Sequence, residues 1–126
     1  MNCSGISADT VLKIYGIRSC DTCRKATRWL EQGAREFQFH DIREDGLDIQ
    51  TLERWSKRIS WEKLLNTRSL TWRKIPDVDR SGITRSRALS MMMEHPTLVK
   101  RPVLEHHKFI AVGFSEAHYS QIFSSL

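Results

Sequence analysis

The segment Cys20-Asp21-Thr22-Cys23 sets two thiols three positions apart, with Arg18, Arg24 and Lys25 adding positive charge around them and Asp21 opposing it. In disulfide exchange the thiolate is the nucleophile, so a cysteine that does this chemistry needs surroundings that lower its pKa. A helix N-terminus supplies them through its unpaired N–H groups and the positive end of its dipole. Cys20 is then the nucleophile, and Cys23, one turn in and on the apolar face, is a candidate resolving thiol. Two other readings compete. Both cysteines can be inert buried thiols, against which stands the position of Cys20 ahead of the helix rather than inside it. Zinc normally takes four ligands, and the chain offers this one pair plus His106-His107, so no metal is expected. Cys3 reads as incidental, and His40, His95 and His118 as surface or strand residues.

This motif depends on the elements that hold it. Val11 to Ile17 is a short, mostly apolar run that reads as a buried strand. From Cys20 to Leu30 the period changes, with Cys23, Ala26 and Leu30 on one helical face and Gly33 as a stop signal. Glu36 to Ile42 alternates, Phe37 and Phe39 facing one way and Gln38 and His40 the other, as a second strand does. Two strands joined by a helix of this length make a βαβ unit with parallel strands and a right-handed crossover. The strand-to-helix junction is therefore where Cys20 stands.

Farther along, Asp48 can cap a helix carrying Ile49, Leu52 and Ile59, and Ser60 a short one through Leu65, with Trp55, Trp61 and Trp72 closing their core. A further helix from about Thr84 ends at His95-Pro96, because proline disfavours helical backbone in the residue before it. Met91 to Met93 read as core filler. Pro102 to Glu105 and Phe109 to Val112 flank His106-His107-Lys108 as a β-hairpin. Ser115 caps a last helix, with Phe114 placed to pack on Tyr119 as a hydrophobic staple. The order is βα, then βα with a helical insertion at about 45–95, then ββα, all within one domain of 126 residues whose first nine form a tail.

The N-terminal segment has no basic start followed by an apolar run, and no longer hydrophobic stretch follows, so neither export nor a membrane partner is expected. Three cysteines are too few and too uneven for a disulfide framework, which favours a reducing compartment, the cytoplasm. The formal charge of +5 is spread over scattered residues. With no block of about five or more Lys or Arg, a solvated basic surface is favoured over nucleic-acid binding.

Arg101-Pro102 opens the third strand, and proline alone makes a cis bond cheap. A cis proline facing the cysteine would expose backbone groups to an extended thiol peptide; a trans proline would merely start the strand.

Through YGIRSCDTCRKATRWL, FHDIREDGLD, LLNTRSLTWRK, HPTLVKRP and VGFSEAHYSQIF, the chain resembles the ArsC-like family of the thioredoxin superfamily, which includes ArsC, Spx and YffB proteins, and most closely its YffB branch. The resemblance implies an α/β thioredoxin-like fold with a mixed four-stranded sheet and an inserted helical subdomain, a reactive Cys20 and a cis Pro102. It also implies a thiol reductase with glutathione as cosubstrate and a thiol or disulfide substrate; a monomer is expected. The arginine of the NTR motif is Arg68 and the one before the proline is Arg101, both matching anion-site arginines of arsenate reductases. A guanidinium fork suits an oxyanion or a glutathione carboxylate equally well, and for Arg68 a surface ion pair is the plain alternative.

Arsenate as substrate is disfavoured by two departures. The segment Ala111-Val112-Gly113-Phe114 lacks a third arginine, and Gly16 stands where arsenate reductases carry histidine. Spx-type regulators share the motif but bind the RNA polymerase alpha subunit, and FHDIREDGLD with LLNTRSLTWRK favours YffB over them.

Overall fold

A computed structural model describes residues 11–125; the expected tail at 1–9, with Cys3, lies outside them. The described chain divides into two compact units, one running up to Asp41 and resuming at Arg101, the other Ile42–Lys100.

The first unit is built on a mixed four-stranded sheet. Strand β1 (Lys13–Gly16) leads into helix α1 (Asp21–Gln32) and then β2 (Gln38–Asp41); β3 (Val103–His106), β4 (Phe109–Val112) and the last helix (Glu116–Ser124) complete it. The spatial order is β2-β1-β3-β4. β1 pairs parallel with β2, Lys13 opposite Gln38, and antiparallel with β3, Ile14 opposite Leu104. β3 and β4 form the expected hairpin, His106 opposite Phe109.

Helix α1 turns Cys23, Ala26 and Leu30 inward, as its spacing requires. Leu12, Ile14, Ala26, Leu30, Leu104, Ala111 and Tyr119 form the core of this unit, with Phe37, Phe39 and Phe114 packed against it. Each large apolar side chain so buried stabilises the unit by about 1.5–3 kcal/mol. Phe114 meets Tyr119 edge-on with ring centres 4.7 Å apart, the staple that fixes the entry into the last helix.

Helix α1 stops at Gly33 as expected, but the left-handed residue of its cap lies one place farther on. Gly33 is the cap residue with ordinary φ, while Ala34 takes the left-handed conformation at φ 55°. The N–H of Ala34 reaches Glu31 O and that of Arg35 reaches Leu30 O, both at 3.0 Å, the paired bonds of a Schellman motif.

In the second unit, α2 (Ile49–Arg58), α3 (Trp61–Leu64), α4 (Leu70–Lys74), α5 (Asp77–Arg80) and α6 (Arg85–Glu94) follow one another, and a 3-10 turn (Pro96–Leu98) closes the series. The side chains of Asp48, Ser60, Ser69 and Thr84 each accept a backbone N–H at the start of α2, α3, α4 and α6. α4 and α5 were not foreseen, being too short to show a helical period. Of the three tryptophans expected in the core only Trp55 is fully buried; Trp61 and Trp72 are half-covered. Met91 and Met92 fill the core as expected, but Met93 is 41% exposed. Among the described residues, no helix is long and apolar enough to cross a membrane.

Candidate active site

Cys20 is the N-cap residue of α1, in extended conformation. Its N–H donates to Ile17 O at 2.9 Å and its carbonyl accepts the Arg24 N–H at 3.0 Å, so the backbone on both sides of the sulfur is tied down. The pairing of Tyr15 with Val103 carries Pro102 and Arg101 alongside the end of β1, where the chain turns into Cys20. The Arg101–Pro102 bond is cis. Pro102 is buried, and its carbonyl accepts the N–H of Gly113 at 2.9 Å. Gly113, at φ 81°, supplies the left-handed turn that lets the chain leaving β4 reach this carbonyl.

The two thiols are driven apart electrostatically. Partial burial pushes Cys20 up, but the Cys23 backbone N–H, the Cys23 side chain and the Arg101 guanidinium all favour its thiolate and hold it below the ordinary thiol range. Burial dominates at Cys23, which is 1% exposed, and with the Cys20 charge close by the thiol is pushed up to about 12 despite a hydrogen bond from Ile17 N–H. One sulfur is thus prepared to attack and the other keeps its proton. Tyr119, buried near Cys23, is raised by desolvation and then by that neighbour, so its phenol stays neutral too.

An open cleft of about 260 Å³ flanks the turn, lined by Arg18, Arg24, Thr27, Phe37 and Phe39 together with Cys23. It is smaller than the usual pocket for a whole drug-sized ligand, and matches part of one. Arg24 pairs with Asp21 on the helix surface. Among the described residues, no three or more His, Cys, Asp or Glu side chains gather to hold a metal.

The structure brings Cys20, Cys23, Arg101 and Pro102 together. Arg68 belongs to the other unit, exposed in the turn before α4, its backbone N–H donating to Asn66 Oδ1 at 3.2 Å.

A residue the motif reading missed is Asp41. It is a carboxylate only 1% exposed at the end of β2. It accepts the Arg18 N–H at 3.0 Å, and the Arg18 guanidinium lies 3.6 Å away. That anchors the turn immediately before Cys20. The signal was available as an acid in the otherwise apolar end of FHDI, where a buried charge must be paired.

The match to the ArsC family model spans residues 15–122, nearly all of the described chain. The chain belongs to the ArsC family. An uncharacterized protein of Haemophilus influenzae is 37% identical over 114 residues, covering 90% of this chain and all of that protein. A solved YffB protein superposes with a TM-score of 0.83 at 33% identity, covering 88% of this chain and 97% of that one. The global transcriptional regulator Spx of Enterococcus faecalis is 30% identical over 108 residues, covering 84% of this chain and 81% of that protein. The mixed sheet with its helices is thus the thioredoxin-like fold of ArsC structures. Membership supports a thiol-based redox or regulatory role.

Proposed function

We propose that this ArsC-family chain is a thiol reductase in which Cys20 attacks a disulfide and glutathione is the cosubstrate. The observation that carries the reading is the Cys20 sulfur itself, partly exposed at the start of α1 and favoured as thiolate by the Cys23 N–H and the Arg101 guanidinium.

The chemistry balances as two exchanges. The Cys20 thiolate attacks one sulfur of R–S–S–R′, forms the Cys20–S–S–R mixed disulfide and expels R′S⁻, which takes a proton from solvent. A glutathione thiolate then attacks the R sulfur, freeing the Cys20 thiolate and leaving R–S–S–G. A second round on R–S–S–G ends with RSH and glutathione disulfide, so two glutathiones supply the two electrons. Arg101 is the group that can hold a carboxylate of the incoming thiol, and its planar fork suits that task. Cys23, buried and protonated, is the less suited resolving nucleophile.

The test is turnover of a glutathionylated peptide with glutathione, followed as glutathione disulfide formed, in wild type and Cys20→Ser. Turnover that disappears with Cys20 supports the reading; a wild-type rate equal to the buffer rate ends it.

The likeness to Spx favours a second reading, a regulator that binds the RNA polymerase alpha subunit. Co-purification with RNA polymerase, in the absence of turnover, would favour it.

A further inference from the structure

Gly16 ends β1 and is buried there. Its φ lies outside the left-handed region, so backbone conformation does not demand glycine. Space does. A Cβ placed on Gly16 would lie 2.5 Å from Cys23 Sγ and 3.2 Å from Cys23 Cβ. Ordinary non-bonded contacts sit near 3.5–4.0 Å, so a side chain at 16 would drive the sulfur back by roughly 1 Å. That sulfur has two polar contacts to lose, the N–H it accepts from Ile17 and its hydrogen bond with Cys20.

We propose that Gly16 is a positioning residue of the redox site: by carrying no side chain, it leaves the space from which the Cys23 thiol hydrogen-bonds the Cys20 sulfur. The proposal rests on the reading of Cys20 as nucleophile. Gly16 acts through Cys23, the residue a side chain at 16 would displace. Phe39 Cζ would lie 3.6 Å from the same Cβ, an ordinary contact, so the Cys23 sulfur is the group that must move. The sulfur therefore cannot give way without changing what it offers Cys20.

A double-mutant cycle of Gly16→Ala and Cys23→Ala tests this, read as the pH profile of iodoacetamide alkylation at Cys20 by mass spectrometry of its peptide, with a thermal melt of each protein. Gly16→Ala is expected to slow Cys20 alkylation at pH 7 by roughly 3–10-fold and to move its profile to higher pH, the effect of a smaller thiolate fraction. In the Cys23→Ala background the same change should move the rate by less than about two-fold, because the sulfur it displaces is gone. An equal shift in both backgrounds, or no upward shift in the first, overturns the proposal. If Gly16→Ala alone does not fold, a folded double variant supports the clash with sulfur and an unfolded one overturns it. A wild-type Cys20 that alkylates no faster at pH 7 than an unstructured cysteine peptide would instead defeat the nucleophile assignment. The melting-temperature cycle would then decide the Gly16–Cys23 contact by itself, coupling supporting it and additivity overturning it.

Discussion

The start of α1 and the starts of α2, α3, α4 and α6 face the same problem and solve it differently. In α2, α3, α4 and α6 an oxygen from Asp48, Ser60, Ser69 or Thr84 accepts one of the orphan N–H groups. At α1 the cap residue is Cys20, whose side chain makes no regular capping hydrogen bond, while the Cys23 N–H lies where it favours a thiolate. An oxygen cap is worth about 1 kcal/mol to a helix. Here that amide is spent on a reactive sulfur. The rule of local stability is relaxed where the chemistry is.

Cys20→Ser breaks the contrast most sharply. It converts α1 into a helix like the others, and the two readouts should move in opposite directions. Glutathione-dependent turnover should fall by orders of magnitude, since a hydroxyl does not replace a thiolate. Stability in urea should hold or rise, by up to about 1 kcal/mol. A loss of stability would show that the sulfur caps as well as an oxygen does.

Next in size is Arg101→Ala, which removes the cation on the Cys20 sulfur. Alkylation at pH 7 should slow by roughly 3–10-fold, and glutathione binding seen by chemical-shift titration should weaken, with lysine rescuing only in part. Added salt should slow the wild type in the same direction, because a partly exposed charge is screened. The matching control is Thr84→Ala at the start of α6, expected to cost about 1 kcal/mol in denaturation while leaving Cys20 alkylation unchanged.

The two thiols also give opposite pH dependences. Cys20 is lowered in the folded protein, so its contribution to stability is present above the unfolded thiol pKa and is lost as pH falls through the folded one. Cys23 is raised to about 12, so the stability linked to it is complete below the unfolded thiol pKa and drains away as pH rises towards that value. Urea midpoints compared between wild type and Cys23→Ala should therefore converge or cross from pH 8 upwards, at about the ordinary thiol pKa. A constant difference across that window would mean that Cys23 ionises as freely folded as unfolded.

Much of the fold was written locally. Asp48, Ser60, Thr84 and Ser115 announce helices because a short polar side chain ahead of an apolar period has one good use there. Likewise Cys20 to Cys23 at a strand-to-helix junction carried most of the site. What the chain order hid is tertiary. Gly16 read as the place of a histidine that arsenate reductases carry, whereas in space it is the room beside Cys23, a contact visible only once β1 and α1 are packed. Asp41 read as part of a strand, and only its burial against Arg18 shows that it fixes the turn before Cys20. α4 and α5 escaped because Ser69 and Pro76 begin helices of five and four residues, which bury nothing fully and so have no apolar face to recognise.

The smallest expected effect lies at the other end of α1, where the helix is built for stability and not for chemistry. Glycine would be the natural occupant of the left-handed position, yet Gly33 falls one place early and Ala34 holds it at φ 55°. A Cβ in that conformation costs about 1–2 kcal/mol by crowding the following carbonyl. Glycine removes the crowding but gives back part of the gain as extra freedom in the unfolded chain. Ala34→Gly should therefore stabilise the protein by roughly 0.5–1 kcal/mol in urea denaturation. Cys20 alkylation should not change, since Ala34 stands beyond the last turn of α1 and Cys20 before the first. A destabilised variant would mean that Ala34 makes a contact worth more than its strain, and a changed Cys20 rate would mean that the two ends of α1 are coupled rather than separately built.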